Sequence, residues 1–132
     1  YQVMKEQKKS EQKKILIVED DPHSQLYFKR LLSDSYGIFT AVSAREAWET
    51  LMQTSFVLVL MDISLSGGED GLSLTRRIRK EPSLRDTLIL AVTAYAFPED
   101  RKRALEAGCN DYLSKPVNSN DLQDKVTEML GN

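Results

Sequence analysis

Five side chains that could share one piece of chemistry stand where short apolar runs end: Glu19 and Asp20 after Ile15–Val18, Asp62 after Phe56–Met61, Thr93 after Leu88–Val92, and Lys115 after Asp111–Leu113. Runs that are apolar on consecutive residues read as strands covered on both faces. In open α/β sheets, ligands bind beyond the carboxyl ends of such strands, so all five groups are expected on one rim. Carboxylates crowded there repel one another and raise one another's pKa unless a cation sits among them. Oxygen ligands without His or Cys select a hard ion. Mg²⁺, which keeps several waters and uses few protein carboxylates, suits the set better than Zn²⁺.

With Mg²⁺ and the Lys115 ammonium beside them, the three carboxylates are formally balanced and an incoming phosphoryl group can approach. Asp62 is then the expected nucleophile. Carboxylates form aspartyl phosphates, and the transfer depends on in-line placement and charge neutralisation more than on proton chemistry. The Thr93 hydroxyl can bond one phosphoryl oxygen and Lys115 another, and no general base is required.

Elements that could hold such a rim follow from periodicity. Pro22 suits the first turn of a helix reaching about Asp34 with Leu26, Leu31 and Leu32 inward. Ile38–Val42 is a second strand, and Ser43 is a plausible N-cap for a helix whose Ala44, Ala47, Trp48 and Leu51 share a face. Phe56–Met61 is the most apolar run and the expected central strand. Gly67, Gly68 and Gly71 surround a loop before a helix carrying Leu74 and Ile78, with Pro82 beyond its end. Pro98 opens a further helix, Gly108 closes it, and Leu122, Val126, Met129 and Leu130 stripe the last one. Strands alternating with helices imply a doubly wound parallel sheet with helices on both faces, because parallel neighbours need right-handed crossovers.

At 132 residues and 41% hydrophobic content the chain has the arithmetic of one globular domain, large enough to hold a core without staples. A single Cys forbids an internal disulfide. No apolar run approaches the length of a membrane span and the first 14 residues are too polar for a signal peptide, so the cytoplasm is the expected location. Residues 1–14 form a lysine-rich linker or extension and 15–132 the domain. Since five of the lysines lie in that head, the rest of the chain is acidic, which argues against a nucleic-acid surface.

The ordered set Ile15-Leu-Ile-Val-Glu-Asp-Asp21, Leu60-Met-Asp62, Asp70-Gly71, Val92-Thr-Ala94 and Asp111-Tyr-Leu-Ser-Lys-Pro116 resembles the receiver domain of two-component response regulators, over residues 15 to about 130. The resemblance implies the flavodoxin-like strand order 2-1-3-4-5, the order given for a member of this family in general accounts of the fold. It implies that Asp62 is the phosphoacceptor, that Glu19 and Asp20 hold Mg²⁺ together with Asp62 and the backbone carbonyl of Ser64, and that Thr93 and Lys115 stabilise the phosphoryl group. It further implies that Tyr112 is a rotamer switch coupled to Thr93. The expected function is a phosphorylation-dependent signalling switch rather than a turnover enzyme. The donor would be a histidine kinase or a histidine phosphotransfer protein. With only Gly131 and Asn132 after Leu130, the chain is expected to signal by binding an effector or to belong to a larger protein such as a hybrid sensor histidine kinase. Two departures stand out. The stretch Leu65-Ser-Gly-Gly-Glu-Asp-Gly71 lacks the family's usual proline and is one residue longer, so this loop should be more mobile, and Ser64 and Tyr95 occupy positions at which the family tunes hydrolysis.

Plainer readings compete at several positions. Asp20, Asp21 or Asp70 could simply cap a helix, and for Asp70 the cap is preferred. His23 reads as a surface residue and Cys109 as a small buried hydrophobe. A phosphatase of haloacid dehalogenase type would need a second acid two residues past its nucleophile, where Ser64 stands. A flavin-binding module would need a phosphate-cradling loop where Glu19-Asp20-Asp21 would repel phosphate.

Overall fold

A computed structural model describes residues 12–65, 68–94 and 97–131. Among the described residues, five strands and five helices alternate: β1 (Lys14–Val18), α1 (Pro22–Leu32), β2 (Gly37–Ala41), α2 (Ala44–Gln53), β3 (Leu58–Asp62), α3 (Gly71–Lys80), β4 (Leu88–Thr93), α4 (Pro98–Ala107), β5 (Asp111–Ser114) and α5 (Ser119–Leu130). Every strand pairing is parallel, and the order is β2-β1-β3-β4-β5, with β3 central as its composition implied.

Side chains alternate across the sheet, so each strand feeds two cores. Leu16, Val18, Val59, Met61, Ile89 and Ala91 pack against α2, α3 and α4 through Ala47, Leu51, Leu74, Ile78 and Ala104. Ile15, Ile17, Leu58, Leu60, Leu90 and Val92 face α1 and α5 through Phe28, Leu32, Leu122 and Val126. Both faces of β1 and β3 are sealed from water, which is why those strands read as unbroken apolar runs.

Local chemistry sets the helix starts. Asp21 accepts from the Ser24 amide at 2.9 Å, Ser43 Oγ from Glu46 at 3.1 Å, and Asp70 from Ser73 at 2.8 Å. Asp70 and Ser43 are therefore caps, as expected, and of the acids after β1 it is Asp21 that caps α1. Gly108 ends α4 in the left-handed region at φ 119°, a conformation that glycine adopts without a Cβ penalty.

Several expectations need correction. Leu26 faces outward and is 47% exposed; the inward stripe of α1 is Phe28 and Leu32 with Leu31 partly covered. At about 100° per residue, Leu26 stands roughly opposite Phe28, so both cannot face the sheet. The helix stops at Leu32 rather than near Asp34, since the Ser33 amide closes it on Lys29 O. Val42 lies beyond β2 and is exposed, and Phe56 precedes β3, where it meets Phe39 edge-on at 5.3 Å between ring centres. Trp48 is partly rather than fully buried. Most of the lysine-rich head, together with Ser66, Gly67 and Tyr95, lies outside the described residues.

Candidate functional site

The carboxyl ends of β1, β3, β4 and β5 deliver the expected residues to one rim. Glu19 follows β1 directly and is 1% exposed, held by its backbone N–H on Ala41 O at 3.0 Å and by the Gln25 amide on its carbonyl at 3.1 Å. Asp62 is the last residue of β3 and 5% exposed; its Oδ1 accepts from the Ser64 amide at 2.8 Å, which fixes the carboxyl plane. Asp20 is partly exposed. One oxygen each from Glu19, Asp20 and Asp62 lies within 4.8 Å of the others.

Lys115 enters this bowl from the turn after β5. Its amide donates to Thr93 O at 2.7 Å, and its Nζ donates to Glu19 Oε1 at 2.7 Å and to Asp62 Oδ2 at 3.5 Å. Behind it, Tyr27 Oη donates to Val117 O at 2.8 Å and ties the turn to α1. Thr93 ends β4 almost wholly buried, its hydroxyl 3.4 Å from that of Ser64.

Burial pushes the Glu19 carboxyl up to about 7; the Lys115 ammonium and the Asp21 amide pull it down, and Asp62 adds to the rise. Burial also works against the charge on Lys115, but Glu19 and Asp62 outweigh it and hold the ammonium above the ordinary lysine range. Three hard oxygen donors with one lysine fit a hydrated divalent ion such as Mg²⁺, and the partly exposed Asp20 leaves a side open for its waters.

The structure thus brings Glu19, Asp20, Asp62, Thr93 and Lys115 together. Ser64 joins them through its amide and hydroxyl contacts. Tyr112 stands apart from the bowl, half-buried against the α2–α3–α4 core; it pairs in register with Ala91, two residues before Thr93, and so faces the same side of the sheet as that threonine. Burial, and after it the charge of Asp100 in the first turn of α4, push its phenol upward. His23 is exposed and Cys109 buried, as their contexts implied.

Two contributors were invisible to sequence reasoning. The Asp21 amide donates to Glu19 Oε2 at 3.1 Å, a contact made only because α1 starts there. Gly71 lies so close to the end of β3 that a Cβ on it would stand 2.5 Å from Asp62 O and 2.7 Å from Ile63 Cα. The Asp70-Gly71 pair signalled a turn, but not a contact with another strand's end.

Comparison with known proteins agrees with this geometry. The profile described as the response regulator receiver domain matches residues 15–127. The polar-differentiation response regulator DivK of Brucella ovis is 32% identical over 120 residues, covering 90% of this chain and 97% of that protein. A 14.6 kDa protein from the sodA1 3′ region of Leptolyngbya boryana is 38% identical over 109 residues, 82% of each chain. Among solved structures, the receiver domain of the sensor histidine kinase PA1611 from Pseudomonas aeruginosa PAO1, with a magnesium ion coordinated in its active site cleft, superimposes with a TM-score of 0.83 at 34% identity, covering 92% of this chain and 99% of that one.

Proposed function

This chain belongs to the response regulator receiver domain family, and on that premise we propose that Asp62 takes a phosphoryl group from a phosphohistidine and thereby changes the surface offered to partners. Bound Mg²⁺ would supply charge neutralisation for the phosphoryl oxygens, held by Glu19, Asp20, Asp62 and the Ser64 carbonyl. The carboxylate of Asp62 attacks phosphorus, an O–P bond forms, and the N–P bond of the donor breaks. The donor imidazole departs with the bonding pair and takes its proton from water. Lys115 and the Thr93 hydroxyl each hold one phosphoryl oxygen.

The observation that carries this reading is the bowl itself: three carboxylates converging within 4.8 Å with the Lys115 ammonium bridging Glu19 and Asp62. The magnesium coordinated in the cleft of the PA1611 receiver supports the metal assignment. The phosphatase and flavin readings have no support, since Ser64 cannot act as an acid and an acidic rim repels a flavin phosphate.

Phosphorylation adds about one further negative charge beside Thr93. Drawing that hydroxyl inward makes room for Tyr112, so the β4–α4–β5 face takes a second arrangement, and partners shift the balance only by binding the two forms unequally. The donor is a histidine kinase or phosphotransfer protein of the cytoplasm, and the domain itself is a signalling element rather than a turnover enzyme. Incubating the protein with a small-molecule phosphodonor and Mg²⁺ should label the wild type and leave Asp62→Asn unlabelled. Equal labelling of the variant would overturn the assignment.

A further inference from the structure

Lys115 meets Glu19 and Asp62 from the turn after β5, so its reach depends on what holds that turn. Its own amide is tied to Thr93 O at 2.7 Å, at the end of β4. Two residues on, the Val117 carbonyl accepts from Tyr27 Oη of α1 at 2.8 Å. Between these ties stands Pro116, whose ring fixes φ, so the short span they bound has little freedom of its own. Packing does less here. A cleft of about 560 Å³ opens between α1 and the turn, lined by His23, Tyr27, Phe28, Lys115 and Pro116, so the two do not lie flush. The contacts then return to the site. Helix α1 carries Gln25, whose side-chain amide donates to Glu19 O at 3.1 Å, and Glu19 Oε1 accepts from Lys115 Nζ at 2.7 Å. Helix, tyrosine, turn, lysine and glutamate close into one ring.

We infer that Tyr27 is a positioning residue for Lys115: its hydroxyl holds the turn after β5 where the ammonium can reach Glu19 and Asp62. Tyr27 touches none of the reacting atoms, and its part in transfer rests on the phosphoacceptor reading given above. The hydroxyl is the whole of the device, because the ring packs beside Phe28, 5.7 Å between centres, with or without it. A hydrogen bond of ordinary net worth biases a turn between held and released states by roughly 5-fold. With that bias gone, Lys115 leaves Glu19 more often, and an incoming phosphoryl group meets the ammonium in place less often.

The test uses the whole chain. Tyr27→Phe deletes only the hydroxyl, and a melting curve checks that folding is retained. Gln123→Met is its comparator: it removes another side-chain tie between α1 and α5, Gln123 Nε2 on Leu31 O at 3.0 Å, at the end of α1 away from Lys115. Two measurements follow. Brief acylation of amines by N-acetoxysuccinimide, read by peptide mass spectrometry, reports how often Lys115 is released. Lys125, with 24% side-chain exposure against 25% and a carboxylate partner of its own in Asp111, is the internal reference. The initial rate of labelling by acetyl phosphate with Mg²⁺ reports transfer. In Tyr27→Phe the ratio of Lys115 to Lys125 acylation should rise and the labelling rate should fall, each on the order of 5-fold, while Gln123→Met leaves both at wild-type values. An unchanged ratio in Tyr27→Phe, or equal changes in Gln123→Met, would overturn the tether, and a raised ratio with wild-type labelling would overturn its part in transfer. Labelling of Asp62→Asn at the wild-type level would instead overturn the phosphoacceptor reading, and the acylation ratio would still decide the tether.

Discussion

Replacing Gly71 by alanine probes the join between helix α3 and Asp62, the proposed phosphoacceptor. The added methyl would sit 2.5 Å from Asp62 O and 2.7 Å from Ile63 Cα, where ordinary contact begins at 3.4 Å, so the two backbones must part by about 0.9 Å. Neither neighbour is a side chain that can swing away. Forcing atoms into a packed site costs roughly 1–3 kcal/mol, and alanine's better helix propensity returns less than about 1 kcal/mol at a first-turn position. The expected net loss is about 2 kcal/mol, a fall in melting temperature of roughly 5–10 °C for a domain of this size. The chemistry should suffer more. A displacement near 1 Å of a reacting group can cost up to about 10²-fold, so phosphorylation of Asp62 by a small donor should slow at least about tenfold. Urea unfolding and the initial labelling rate measure the two effects separately. Gly37→Ala serves as control, because its methyl would meet nothing closer than Lys14 Cγ at 3.6 Å. If Gly71→Ala labelled at the wild-type rate, the claim that the start of α3 positions Asp62 would fail, whatever its stability.

Arg79→Ala should destabilise by about 3 kcal/mol in urea titrations, because its guanidinium donates to the carbonyls of Gly108, Arg85 and Thr87 and to Asn110 Oδ1; Arg79→Lys should recover less than half, a point charge being no substitute for the fork. Removing the Asp70 side chain as Asp70→Ala should cost about 1 kcal/mol by the same assay, the worth of an N-cap. Mg²⁺ at roughly a hundred times its dissociation constant should add about 2.7 kcal/mol to unfolding, and a chelator, or Asp20→Asn, should remove most of that gain in a thermal melt. Asp111 gives a pH signature. Burial raises its pKa, but the Lys125 ammonium and the Tyr112 amide outweigh it, so the folded value lies below the ordinary one. Its contribution is present above the unfolded pKa of about 3.9 and is lost as pH falls through the lower folded value. Asp111→Asn should therefore melt earlier than wild type at pH 7 and approach it at acid pH; a constant gap across that range would refute the pairing.

Strand ends proved the most readable feature of the chain. Glu19, Asp62 and Thr93 could be placed because consecutive apolar residues mark a buried strand and the first polar residue after them marks its end; Lys115, one residue beyond the short and only partly buried β5, was placed by its match to the other four. Caps such as Ser43 and Asp70 were equally legible, since they act on residues three positions away. Leu26 was not. The phase of α1 depends on where Asp21 and Pro22 start it, and a shift of two residues reverses which side faces the sheet. The Arg79 network and the Gly71 contact escaped for another reason. Each joins residues distant in sequence whose types are common on surfaces, and only the packed fold makes them neighbours.

The fourfold grip of Arg79 lies at the entry edge of the sheet, where β4 begins and α4 ends, across the molecule from the acidic bowl. This anchorage is thereby separated from the acidic bowl by the length of the strands. On the phosphoacceptor reading proposed above, a substitution within the Arg79 grip should lower the melting temperature while leaving the labelling rate of Asp62 unchanged.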